Sequence, residues 1–222
     1  MKTLLLVLGI ALVAGVAVLL IVPGDEDDPP AVAGPIAILD AAEAPASLGV
    51  PEDGDDDRTQ MPVADGAIAD GEYAHTTEVG GVTVYWANDS LVLRVALVSP
   101  GSGYVAIGLD PERRMEGANY IIGAVRGGRA AVRDDVGTGP VAHEADIDNG
   151  GSDHVIEWGG LETDAGTVFE FVIPLDSGDA MDKPLLPGET YTILVAYHET
   201  SDDFAARHTA RGEATIELDP AS

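Results

Sequence analysis

From residue 66 onward, apolar residues come in short runs separated by turn-forming residues, the pattern of strands rather than helices. Candidate strands cover 82–86, 91–98, 103–109, 120–125, 130–133, 155–158, 167–173, 191–197 and 214–218. Within 91–98 the alternation puts Leu91, Leu93, Val95 and Leu97 on one face. Asn88-Asp89 and Gly127-Gly128 read as hairpin turns. No stretch of this region carries a helical period. About nine strands over ~150 residues predict an all-β fold, an antiparallel immunoglobulin-like β-sandwich spanning residues 66–219.

The first third of the chain has a different texture. Residues 4–22 form an uncharged apolar run of 19 residues, preceded by Lys2 and followed by Asp25, Glu26, Asp27 and Asp28. As a helix rising ~1.5 Å per residue, the run nearly spans the ~30 Å hydrocarbon layer. With the basic charge on its N-terminal side, it predicts one N-terminal transmembrane helix (residues 1–22) whose C-terminal domain is extracytoplasmic. A cleaved signal peptide is the alternative. Its apolar core is usually shorter, however, and the nearest small-x-small site, Ala31-Val32-Ala33, lies beyond four acids and two prolines. Residues 23–65 hold 12 acids, one Arg and seven prolines, which reads as an extended acidic linker.

Charge narrows the partners. Of 222 residues, 39 are acidic and 11 basic, a formal net charge of −28. That field repels phosphate backbones, so nucleic acid is not an expected partner. Membrane association is expected through the apolar helix, not through charge. Nine of the basic residues are Arg and only Lys2 and Lys183 are Lys, a halophilic balance suited to high salt. There is no Cys. Disulfides, thiolate zinc sites, iron–sulfur clusters and covalently attached haem are therefore excluded.

Several short motifs then follow in order. Asp70-Gly71-Glu72-Tyr73 and Val84-Tyr85-Trp86 precede Gly103-Tyr104-Val105-Ala106-Ile107-Gly108 and Met115-Glu116-Gly117-Ala118-Asn119. Phe169-Glu170-Phe171, Pro174-Leu175, Gly178-Asp179, Asp202-Asp203-Phe204, His208 and Arg211-Gly212 complete the series. This order resembles a DOMON domain of the haem-binding type, like the cytochrome domain of cellobiose dehydrogenase and the haem subunit of ethylbenzene dehydrogenase. Tyr104 stands where the family often has Trp, and the resemblance carries it over as a cofactor-binding residue. The resemblance implies a sandwich that binds haem b or a sugar. In its cytochrome members the positions matching Met115 and His208 are the iron ligands.

Ordinary ligand chemistry agrees with that implication. A thioether and an imidazole saturate haem iron, leaving no open position, which suits electron transfer rather than oxygen chemistry. Arg113 and Arg114 flank Met115, and Arg207 and Arg211 flank His208. Guanidinium groups pair well with haem propionates. Their alternative role is to offset nearby acids. The expected function is thus a membrane-tethered haem b domain passing electrons to a redox partner that the sequence does not name. A sugar-binding module and a structural surface domain are the alternatives. Finally, His143, Asp146, Asp148, Asp153 and His154 crowd one turn-rich segment. Such a segment is a candidate Ca²⁺ loop, although its spacing does not complete an EF-hand.

Overall fold

A computed structural model of the protein describes residues 61–221. The expected transmembrane helix and most of the expected linker lie outside these residues. Among the described residues, no helix is long and apolar enough to cross a membrane.

Eleven strands form two antiparallel sheets. The five-stranded sheet contains β1 (His75–Val79), β2 (Val82–Asn88), β3 (Val92–Ser99), β9 (Gly166–Pro174) and β8 (Glu157–Thr163), in that spatial order. The six-stranded sheet runs β11 (Ala210–Glu217), β10 (Thr190–Tyr197), β4 (Val105–Leu109), β5 (Asn119–Arg126), β6 (Arg129–Gly139) and β7 (Ala142–Ala145). The fold is a two-sheet antiparallel β-sandwich, as the alternation predicts. Val84, Leu93, Leu97 and Phe171 of the first sheet meet Ile107, Ile121, Ile193 and Ile216 of the second in a dry core.

Two strands escape the sequence pattern. β1 carries almost no aliphatic side chains, but it pairs with β2 throughout. The two are joined at Gly80-Gly81, whose φ angles of 60° and 85° suit the tight turn. β7 is four residues long and pairs with β6 at the sheet edge. One expectation within β3 is corrected. Leu93, Val95 and Leu97 point into the core, but Leu91 is 73% exposed. It lies before the strand, where its N–H donates to Asp89 Oδ1 at 2.7 Å as part of the turn.

Packing already includes residues just upstream of Gly66. Pro62 is buried, and the backbone of Ala64 and Asp65 lies so close to Gly159 that a Cβ there would meet Ala64 O at 2.4 Å. The buried Glu170 carboxylate ties this segment down. It accepts from the Gly66 N–H at 2.6 Å and from the Tyr73 hydroxyl at 2.8 Å.

The six-stranded sheet is covered on both faces. β4 is buried along its whole length, and β5 over six of its eight residues. Their outward side chains, Ala106, Tyr120, Ile122 and Ala124, form a second apolar layer with Tyr104, Ala118 and Phe204. Two loops supply the cover: residues 110–118 between β4 and β5, and residues 198–209 between β10 and β11.

Candidate functional site

The register across the outer face sets the floor of a cleft. One row reads Arg211, Ala196, Ala106, Ile122, and the next Glu213, Leu194, Gly108, Tyr120, Asp135. Small side chains at Ala196 and Ala106 leave the sheet backbone close to the surface. A Cβ on Gly108 would sit 2.3 Å from the Tyr120 ring, so the ring lies down over this glycine. The result is an open cleft of about 320 Å³, within the range of ligand pockets.

The first covering loop is sharply folded. Asp110 and Arg114 take positive φ (51° and 58°), as does Gly117 (73°). Arg113 and Glu116 pair as a small antiparallel bridge, which puts Arg114 and Met115 at the tip of a two-residue turn. Non-glycine residues held in this region of φ are strained, and such strain concentrates at functional sites. Gly137 of β6 clamps the loop from below: its N–H donates to Ala118 O and its carbonyl accepts from Gly117 N–H, both at 2.8 Å.

The second loop is held by an aromatic post. The Tyr104 hydroxyl donates to Ala206 O at 2.8 Å, and its ring packs edge-on against Phe204. Burial pushes the Tyr104 hydroxyl up to about 12, with the nearby Asp203 charge adding to it, so it remains a donor. His198 Nδ1 accepts from the Thr200 and Ser201 N–H groups and fixes the loop entry.

Of the residues expected from the sequence, Met115, His208, Arg114 and Arg211 line this one cleft. Arg113 instead pairs with Glu116 at 2.9 Å on the surface, and Arg207 is exposed, and neither lines the cleft. Tyr104 also lies outside the lining and supports the His208 loop from beneath. Sequence reasoning missed Tyr120, Leu194 and Pro140 as lining residues. Tyr120 has one sequence signal, that β5 reads as a continuous apolar run, the mark of a strand buried on both faces; Leu194 on β10 and Pro140 between β6 and β7 have none.

Burial lowers the pKa of His208 below its ordinary value, and the charges of Arg211 and Arg207 lower it further. A neutral imidazole is the form that binds metal. Behind Tyr120, the buried Asp135 carboxylate takes hydrogen bonds from Arg133 Nη2 at 2.6 Å and His143 Nδ1 at 2.5 Å. Burial raises its pKa, but the hydrogen bonds and charges of His143 and Arg133 outweigh that and hold it below the ordinary carboxylate value of 3.8. A depressed folded-state pKa means stability present above about pH 3.8 and lost as pH falls through the folded value. Asp135→Asn should therefore lower stability at neutral pH by about 2 kcal/mol and flatten the acid limb of a urea-melt pH series. An acid limb unchanged by the substitution refutes this account.

The segment expected to form a Ca²⁺ loop does not act as one unit. His143 belongs to Asp135, while Asp148 and Asp153 are exposed, Asp153 Oδ1 accepting from the Val155 N–H at 3.0 Å. Only Asp146 and His154 turn inward. They join Asp134 and Asp182, whose ligand atoms lie with that of His154 within 4.8 Å of one another. Burial, reinforced by neighbouring carboxylates, pushes Asp134 up to about 8 and Asp146 to about 7.

A family model described as "DOMON domain" matches residues 78–198. Among solved structures, the cytochrome b domain of pyranose dehydrogenase from Coprinopsis cinerea is similar, with a TM-score of 0.46 and 12% identity over 61% of this chain and 76% of that one. The cytochrome domain of Myriococcum thermophilum cellobiose dehydrogenase has a TM-score of 0.43 and 11% identity over 64% and 77%. A family 9 carbohydrate-binding module from Caldicellulosiruptor kristjanssonii, in complex with cellotriose, has a TM-score of 0.42 and 15% identity over 73% and 92%. No curated protein matches the chain significantly.

Proposed function

The chain belongs to the DOMON domain family, and from that premise we propose that its outer-face cleft binds haem b for electron transfer. One observation carries the reading: Met115 and His208, on separate loops, line the same cleft. A thioether and a neutral imidazole are a donor pair that iron in haem accepts, and neither needs a Cys.

The surroundings fit the group. The low floor of Ala196 and Ala106 leaves room for a flat macrocycle, with Tyr120 and Leu194 giving apolar contact. Arg114 and Arg211 give the cleft positive charge within a chain of net charge −28 and can pair with the two carboxylates of haem. Haem supplies one-electron redox chemistry when bound. Met115 and His208 would hold its iron, Arg114 and Arg211 would orient its carboxylates, and Tyr120 and Leu194 would keep water from its apolar face.

In this reading residues 4–22 tether the domain to the membrane from its outer side, and the acidic segment after them lets it reach a protein redox partner. The apolar run and its flanking charges support the tether.

Reconstitution of the purified full chain with hemin tests the reading. The ferrous protein should show the sharp α and β bands of low-spin, six-coordinate haem and keep its colour through gel filtration. Loss of the haem on the column would leave a ligand-binding or structural role, to be tested next with cello-oligosaccharides.

A further inference from the structure

The proposed haem cleft leaves a second, separate cluster of polar groups unexplained. It lies where β6, the short 3-10 turn Asp146–Asn149, the segment 150–156 and the loop 176–183 meet. Asp146 is 0% exposed, and neither of its carboxylate oxygens has a hydrogen-bond partner. Asp134 is 3% exposed, with Oδ1 unpartnered. The unpartnered His154 Nδ1 stands 3.4 Å from Asp182 Oδ2. Buried carboxylate oxygens without a partner are costly and rare in folded proteins. The ligand atoms of Asp134, His154 and Asp182 lie within 4.8 Å of one another, and the buried Asp146 carboxylate is near enough to feel the charges of Asp182 and His154.

The remaining hydrogen bonds aim these groups rather than satisfy them. The His154 N–H donates to Asp134 Oδ2 at 3.0 Å. Asp182 accepts from Asn119 Nδ2 at 2.6 Å and from Ser177 Oγ at 2.7 Å. Asp134 and Asp182 are thus held in place by hydrogen bonds, as the ligands of a metal site are by their outer shell. Lys183, the nearest Lys in sequence, is engaged by the Asp110 side chain at 2.9 Å. No Lys or Arg among the described residues forms an ion pair with Asp134, Asp146 or Asp182.

We propose that Asp134 and Asp182, with His154 Nδ1, bind one divalent cation beside the buried Asp146 carboxylate, joining β6 to the loops beside it. Two carboxylates and an imidazole suit Mn²⁺ or Zn²⁺ better than Ca²⁺, which takes oxygen ligands. The ion offsets charges that otherwise repel one another in a buried site. Its role is structural: the three ligands come from three separate segments, and no cleft residue takes part.

The test uses the full chain, stripped with EDTA and dialysed, without haem. Mn²⁺ or Zn²⁺ at 100-fold excess over Kd should raise Tm by roughly 5–10 °C. Mn²⁺ should bind at one ion per chain by electron paramagnetic resonance. Asp134→Asn should weaken Mn²⁺ at least ~10-fold and His154→Ala by a similar factor. Asp134→Asn also relieves repulsion in the metal-free protein, so it should fold and melt above the stripped wild type. The proposal is overturned if neither ion changes Tm, or if the shift persists in Asp134→Asn. Stabilisation by Ca²⁺ alone, unchanged in His154→Ala, would overturn the imidazole's place in the donor set.

Discussion

Replacing His208 with alanine should leave a folded protein that no longer retains haem. The imidazole is the stronger of the two donors, and its lowered pKa keeps it unprotonated near neutral pH, ready to bind iron. Without it the thioether alone holds the iron weakly, and a reconstituted sample should lose most of its Soret absorbance on gel filtration. Met115→Leu acts differently. Leucine keeps the apolar volume, so folding should change by less than ~1.5 kcal/mol. The haem should stay, but with a five-coordinate, high-spin spectrum and a lower reduction potential. The melting temperature of the haem-free protein should be nearly unchanged in both variants, because His208 and Met115 sit on the outer face, away from the inter-sheet core. Wild-type spectra in both variants would remove these residues as ligands.

How much of this could be read from the sequence follows from where each signal lies. Strands with one dry face, such as β3, show it directly in the spacing of Leu93, Val95 and Leu97. β1 stays hidden because His75-Thr76-Thr77-Glu78 has no apolar face. Its evidence lies in pairing with β2 and in the glycines that join them. The apolar runs of β4 and β5 are visible, but not the second layer over them, since its cover comes from loops far apart in the chain. As candidate ligands, Met115 and His208 are legible through the order of motifs around them and the arginines that flank them. The role of Tyr104 is not legible, because a hydroxyl bonded to Ala206 O is a fact of loop packing. The acidic cluster is the extreme case. With 39 acids in the chain, Asp134 and Asp182 have no contrast with their neighbours; a buried unpartnered oxygen sets Asp134 apart, and the approach of His154 to 3.4 Å sets Asp182 apart.

The strongest link between the fold and the proposed ligand loop runs through Gly137. Its backbone bonds on both sides to Gly117 and Ala118, at a point where the β6–β7 register shifts. A Cβ built there would fall 1.8 Å from Met115 O and 2.9 Å from Met115 C. Both are backbone atoms in a turn already strained at Arg114, so no side-chain rotation relieves the clash. Gly137→Ala must therefore push the Met115 turn away from β6. Overpacking of this kind typically costs ~1–3 kcal/mol. If ~1.4 kcal/mol of that appears as misplacement of the thioether, haem affinity falls ~10-fold. The expected result is a mixed high- and low-spin spectrum and faster haem loss, with a folded protein beneath. Gly139→Ala is the matched control, since a Cβ there meets nothing within 4 Å. It should bind haem as the wild type does. Equal haem affinity in the two variants would show that the position of Met115, and with it the proposed ligation, does not depend on this contact.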